Sequence, residues 1–152
     1  MPGVRYRRSQ TSNVAFVVAI ALLVVVGVVI TTTDDPGAGA FVVWAVAGAA
    51  AVLIGSLRRL TVTVGKGVVE ARFLLGWPVR RIDLRGVVDA EPVRNRWYLG
   101  WGIRWVPNGW MFNVGGLDAV ELRLRSGRVF RIGTDDPDGL LEAIRSEQRA
   151  LR

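Results

Sequence analysis

Cysteine and histidine are both absent from the 152 residues, and Lys66 is the only lysine. Without cysteine there can be no disulfides, thiol nucleophiles, thiolate zinc sites or iron–sulfur clusters. Without histidine the chain lacks the commonest general base, the commonest transition-metal ligand and the usual partner of a catalytic serine. No Walker motif, Rossmann fingerprint or calcium-loop spacing occurs. Carboxylates are scattered through expected strands and turns with no recognisable pair. An enzyme working on carboxylates alone would have to draw on Asp83, Asp89, Glu91 and Asp118. The expectation is a protein that is not an enzyme and needs neither cofactor nor metal.

Charge is missing from two long stretches. Val14–Ile30 and Ala38–Ile54 contain no charged residue, and the short acidic segment Thr31–Gly37 (TTTDDPG) lies between them. Each run spans roughly 25 Å as a helix at about 1.5 Å per residue, and flanking Thr and Ser extend both towards the roughly 30 Å of a bilayer core. A buried hairpin in a soluble protein would carry a polar stripe, and these runs carry none. Two membrane-spanning helices are therefore expected, near residues 13–33 and 38–57, joined by an external turn near 34–37. Arg5, Arg7 and Arg8 precede the first run, and Arg58 and Arg59 follow the second. Positive charge stays on the cytoplasmic side, so both termini of this multi-pass protein should be cytoplasmic. The triplet Ala38-Gly39-Ala40 has the form of a signal-processing site. It lies some ten residues past an apolar run longer than a usual signal core, so the hairpin is expected to stay intact.

This divides the chain into a basic cytosolic segment (1–13), a transmembrane hairpin (14–57) and a cytosolic domain (58–152). From Arg58 onward there are 17 Arg or Lys against 11 Asp or Glu, which is +6 of the total +7. Arginine outnumbers lysine 19 to 1, and with the abundance of Gly, Ala and Val this bias reads as a GC-rich coding sequence. A basic domain beside an anionic leaflet gains about 1 kcal/mol for each cation close to it. The same charge would attract nucleic acid, but nothing marks a nucleic-acid fold and the tether places the domain at lipid.

Beyond Arg59 the hydrophobic period becomes two. Leu60–Val64 alternates, Gly65-Lys66-Gly67 turns the chain, and Val68–Phe73 returns. Further strands are expected at Val79–Leu84, Val87–Val93, Trp110–Val114 and Ala119–Arg125, with Ser126-Gly127 turning the chain into RVFRIG. Val120, Leu122 and Leu124 face one side of their strand and Glu121, Arg123 and Arg125 the other, as in an antiparallel sheet with one wet face. A helix is predicted from about Pro137 to Arg149, capped by Asp136, with Leu140, Leu141, Ile144 and Leu151 at helical spacing.

The expected fold is thus α+β: a helical hairpin, about seven short antiparallel strands, and one C-terminal α-helix. A sheet this small solves its edge problem by rolling into a half-open barrel with the helix across one mouth. This order resembles the pleckstrin-homology (PH)-like fold. More narrowly, the chain resembles small bacterial membrane proteins of actinobacterial type, in which two N-terminal spans precede a bacterial PH-like domain. The resemblance rests on Gly100–Arg104, Val120–Arg125, Gly127–Thr134 and Asp136-Pro137, and covers roughly residues 60 to 150. It implies a binding or assembly module rather than a catalyst. The phosphoinositide signature of eukaryotic PH domains is not evident, so that ligand is not carried over.

The most unusual stretch is Arg94–Trp110, RNRWYLGWGIRWVPNGW. Trp97, Trp101 and Trp105 are four apart, but Gly100 and Gly102 argue against a helix, leaving an excursion between strands. In one reading the Trp and Ile side chains plug the barrel while the arginines snorkel or pair with Asp89 and Glu91. In another, the rings sit at headgroup depth and Arg94, Arg96 and Arg104 meet lipid phosphate. In a third, the segment docks a partner protein. Arg58, Arg59, Arg94, Arg96, Trp97, Trp101, Arg104 and Trp105 are the candidate contact residues, for a membrane-protein partner or for anionic phospholipid. In the second span Ala47, Gly48, Ala51 and Gly55 form a small-residue stripe expected to pack on the first span, with Gly27 as the matching groove, in preference to the alternative of homodimerisation.

Overall fold

The computed structural model describes residues 4–32 and 38–152; the acidic turn expected near 34–37 lies outside them. The structure is α+β, with two sheets and three α-helices. In chain order these are β1 (Val4–Thr11), α1 (Val14–Thr31), α2 (Ala38–Ser56), β2 (Arg59–Gly65), β3 (Val68–Phe73), β4 (Val79–Asp83), β5 (Val87–Arg94), β6 (Gly102–Val106), β7 (Gly109–Asn113), β8 (Asp118–Leu124), β9 (Val129–Gly133) and α3 (Pro137–Ala150). Short 3-10 turns occupy Leu84–Gly86 and Trp97–Leu99.

The two apolar helices leave most of their described side chains exposed. Ala19 and Ala47 are their buried apolar residues, and Phe16, Val24, Val28, Phe41, Val46 and Leu53 stand outward. Gly27 does face the second helix, since a Cβ there would come within 3.4 Å of the Trp44 ring. Gly48 and Gly55 do not, because no atom lies within 4 Å of where their Cβ would be. Within the expected stripe Ala47 is buried, while Gly48, Ala51 and Gly55 border an open groove with Phe16, Ala19, Ile20 and Leu23 of α1. Among the described residues one helix, Gly39–Ser56, is long and apolar enough to cross a membrane by length and composition, and Phe16–Thr31 is a shorter apolar helix.

Among the described residues nine strands stand where seven were expected, and both additions have physical causes. β1 comes from the segment ahead of the hairpin, whose charges hide its strand character. It pairs antiparallel with β2 from Thr11↔Arg59 to Val4↔Gly65, so both flanks of the helical hairpin return to one sheet. β6 comes from the Trp-rich stretch. It pairs with β7 from Gly102↔Asn113 to Val106↔Gly109, leaving Pro107 and Asn108 as the loop. Asn108 takes φ 63°, so the residues that interrupt the sequence pattern are those a type II turn requires.

One sheet runs β1-β2-β3-β4 and the other β5-β8-β9-β7-β6. Contrary to the all-antiparallel expectation, β7 and β9 are parallel, because β9 inserts between β8 and β7. Gly109 allows this, since a Cβ there would fall 1.6 Å from the Val129 carbonyl oxygen. Leu60, Val62, Val64, Val69, Ala71 and Phe73 from the first sheet meet Phe112, Val120, Leu122, Phe130 and Ile132 from the second. Phe112 is central, with ring centroids 5.1 Å from both Phe73 and Phe130.

Helix α3 closes one opening between the sheets with Leu140, Leu141 and Ile144. Asp136 caps it by accepting from the Gly139 N–H at 3.1 Å. Three contacts tie β1 to this region. The Tyr6 hydroxyl donates to Asp136 Oδ2 at 3.2 Å, Arg8 pairs with Asp135 at 3.1 Å, and Arg5 reaches the buried Glu147 at 2.7 Å.

Candidate interaction surface

The helical hairpin joins the β unit at a compact base. The Ser12 N–H donates to the Arg58 carbonyl at 2.8 Å and the Leu74 N–H to the Ser56 carbonyl at 3.2 Å. A Cβ on Gly102 would lie 3.8 Å from Leu57 Cδ1. The Arg58 guanidinium stacks 5.5 Å from the Phe16 ring centroid. Beside this base, the β3–β4 connection exposes Leu74, Leu75 and Trp77. Sequence reasoning passed over these residues, although LLGWP is an apolar turn where polar residues are the rule, and that was the available signal.

None of the six tryptophans is buried. Trp97 is 80% exposed, Trp105 67% and Trp110 55%, and Tyr98 and Trp101 also stand outward. The expectation that these rings plug the barrel is overturned: the β-branched residues, Phe73, Phe112 and Phe130 already fill the interior. Trp105 and Trp110 are paired across β6 and β7, on the same sheet face as Phe112 and Phe130. They lie where the first sheet no longer covers that face.

Arg94, Arg96 and Arg104 are exposed as well. The partners suggested for them are taken, since Arg123 holds Glu91 at 3.2 Å and Asp89 at 3.9 Å. Arg96 instead donates to the Tyr98 hydroxyl at 2.8 Å, and Arg104 Nε to the Trp101 carbonyl at 3.1 Å. Among the described residues, none of Arg58, Arg59, Arg94, Arg96 and Arg104 is in an ion pair. The eight candidate residues do not form one cluster. Arg58 and Arg59 mark the base, Trp101 lies next to Gly102 close by, and Trp105 stands roughly 10 Å further along β6.

The β6–β7 loop lies at the far end of β6 from the helical base. A cleft of about 180 Å³ opens there, lined by Arg80, Trp105, Asn108, Trp110, Arg128 and Phe130 among others. The Arg80 guanidinium lies 6.0 Å from the Phe130 ring centroid. No carboxylate lines the cleft.

The carboxylates of Asp83, Asp89 and Glu91 have structural partners, whereas Asp118 contributes through its main chain. Asp83 accepts from the Arg85 N–H at 2.8 Å, Asp89 and Glu91 hold Arg123, and the Asp118 carbonyl accepts from Thr134 N–H at 3.0 Å. On the outer face of the first sheet, partial burial works to raise the Glu70 pKa, but hydrogen bonds from Arg81 and Arg72 outweigh it and hold the carboxyl below its usual range. Burial first, and then the neighbouring Asp136 carboxylate, push the Tyr6 phenol up to about 12.

No protein-family model matches this chain, and no curated protein is significantly similar to it.

Proposed function

We propose that the chain is a non-catalytic binding or assembly module anchored in the bacterial inner membrane, which docks a membrane-protein partner at the inner leaflet. One observation carries this reading. Every aromatic ring of Trp97–Trp110 is turned outward, around an interior complete without them, and the neighbouring arginines lack acidic partners among the described residues. Aromatic and arginine side chains are the residue types enriched where proteins bind one another.

Three further features support the placement. The uncovered apolar faces of α1 and α2 are far larger than a soluble monomer tolerates, and hydrocarbon satisfies them. The pairing of β1 with β2 keeps both flanks of the hairpin on one side, and Arg58 and Arg59 at that side favour the cytoplasm. The facing sheets with α3 across one opening support the PH-like resemblance, while β1 and the parallel β7–β9 pair depart from it.

A reporter enzyme fused after Arg152 should be active only in the cytoplasm, and the chain should resist carbonate extraction. A photo-crosslinker at Trp101 should capture the same membrane protein reproducibly. Recovery of lipid alone would replace this reading with a second one, recognition of anionic phospholipid. That alternative is favoured by the unpaired Arg58 beside Leu74, Leu75 and Trp77. It requires tryptophan emission to differ, in a salt-sensitive way, between anionic and zwitterionic nanodiscs.

A further inference from the structure

We propose that the free edge of β6 accepts an extended acidic peptide from the partner protein as an added strand. This rests on the binding-module reading and gives it a site and a partner chemistry. The two sheets end in four edges: β1, β4, β5 and β6. Three are guarded. β1 is fastened through Arg5 and Arg8 to Glu147 and Asp135. On β5, Gln148 of α3 donates to the Val87 carbonyl at 3.0 Å, and Pro92 removes a donor. β4 carries Arg80, Arg81 and Asp83 within five residues. β6, with the sequence GIRWV, bears a single charge, and among the described residues no element pairs with its outer side. Such an edge presents unpaired N–H and C=O groups that a further strand satisfies.

The side chains of β6 specify what that strand should carry. Ile103 and Trp105 lie on one face, next to Trp110 and the cleft containing Arg80 and Arg128; Arg104 lies on the other. Among the described residues Arg104 has no carboxylate in ion-pair range. An incoming strand alternating apolar and acidic residues would set its apolar side chains on Ile103 and Trp105 and its carboxylates near Arg104. A lipid headgroup could meet Arg104 but would leave the N–H and C=O groups of the β6 edge unpaired, which an added strand satisfies. A second copy of this chain, paired antiparallel through the whole of β6, would put Arg104 opposite Arg104, which is unfavourable.

The test uses the full chain in zwitterionic nanodiscs and a fluorescent octapeptide alternating Glu and Val. Two further peptides carry N-methyl groups on all the Glu or all the Val amides, and a fourth has Lys for Glu. In a strand, alternate amides face opposite edges, so one methylated peptide should bind like the parent and the other about tenfold more weakly. The Lys peptide and the Arg104→Glu variant should each lose about tenfold, and Arg145→Glu/Arg149→Glu on α3 should change nothing. Equal binding of both methylated peptides, equal loss with the α3 variant, no binding of the parent peptide, or its displacement by anionic vesicles would overturn the proposal. Should the parent peptide fail while Trp101 still crosslinks to a membrane protein, the edge site falls and the module reading stands. If both fail, the module reading falls with it.

Discussion

Single side chains decide how firmly the N-terminal strand is held. The Tyr6 phenol is displaced upward to about 12 by burial and by Asp136. Its stabilising contribution is complete below the unfolded pKa of about 10 and is lost as pH rises towards the folded value. Thermal unfolding of the full chain in detergent should therefore drop more steeply between pH 10 and 12 than that of Tyr6→Phe. Glu70 is shifted the opposite way, so its contribution is present above the usual carboxylate range and fades as pH falls. The site is a solvent-screened surface network, and Glu70→Gln should cost under about 1 kcal/mol at neutral pH. Gly109 is far less tolerant. Adding a methyl against the Val129 carbonyl forces backbone apart, and Gly109→Ala should destabilise by about 2 kcal/mol or more, read as a fall in the unfolding midpoint.

Secondary elements show where sequence pattern succeeds and where it stops. Helix α3 was legible because cap, N1 proline and apolar spacing agree over four turns, and the structure starts it at Pro137 as expected. Asp136→Ala should cost about 1–2 kcal/mol, combining the lost cap with the lost Tyr6 contact. β2, β3, β8 and β9 were legible from strict alternation. β1 was not, because VRYRRSQT is mostly polar and finds its partner beyond an intervening 40-odd residues of hairpin. A fragment beginning at Leu60 would lack this edge strand, and deleting Val4–Thr11 from the full chain should leave it aggregation-prone in detergent, as size-exclusion chromatography would show.

For the molecule as a whole, the proposed membrane placement predicts which exposed rings meet lipid. Leu74 and Gly102 touch the base of α2, whereas Trp105 and Trp110 border the cleft at the other end of their hairpin. Single-tryptophan versions of the full chain in vesicles of brominated lipid should show strong quenching for Trp77 and weak quenching for Trp105. Equal quenching at both would mean the whole aromatic surface lies flat on the bilayer. That outcome would favour lipid recognition over a protein partner.

The amino-acid sequence alone determined the apolar hairpin, the α+β class, the terminal helix and the absence of cysteine and histidine chemistry, because each depends on composition or on spacing within a few residues. Only the tertiary structure decided that the N-terminal segment joins the sheet and that β9 enters beside β7. It also decided that every tryptophan faces outward. Those outcomes depend on strand pairing between distant segments and on how much interior volume other side chains have already filled, and neither quantity is written in a local pattern.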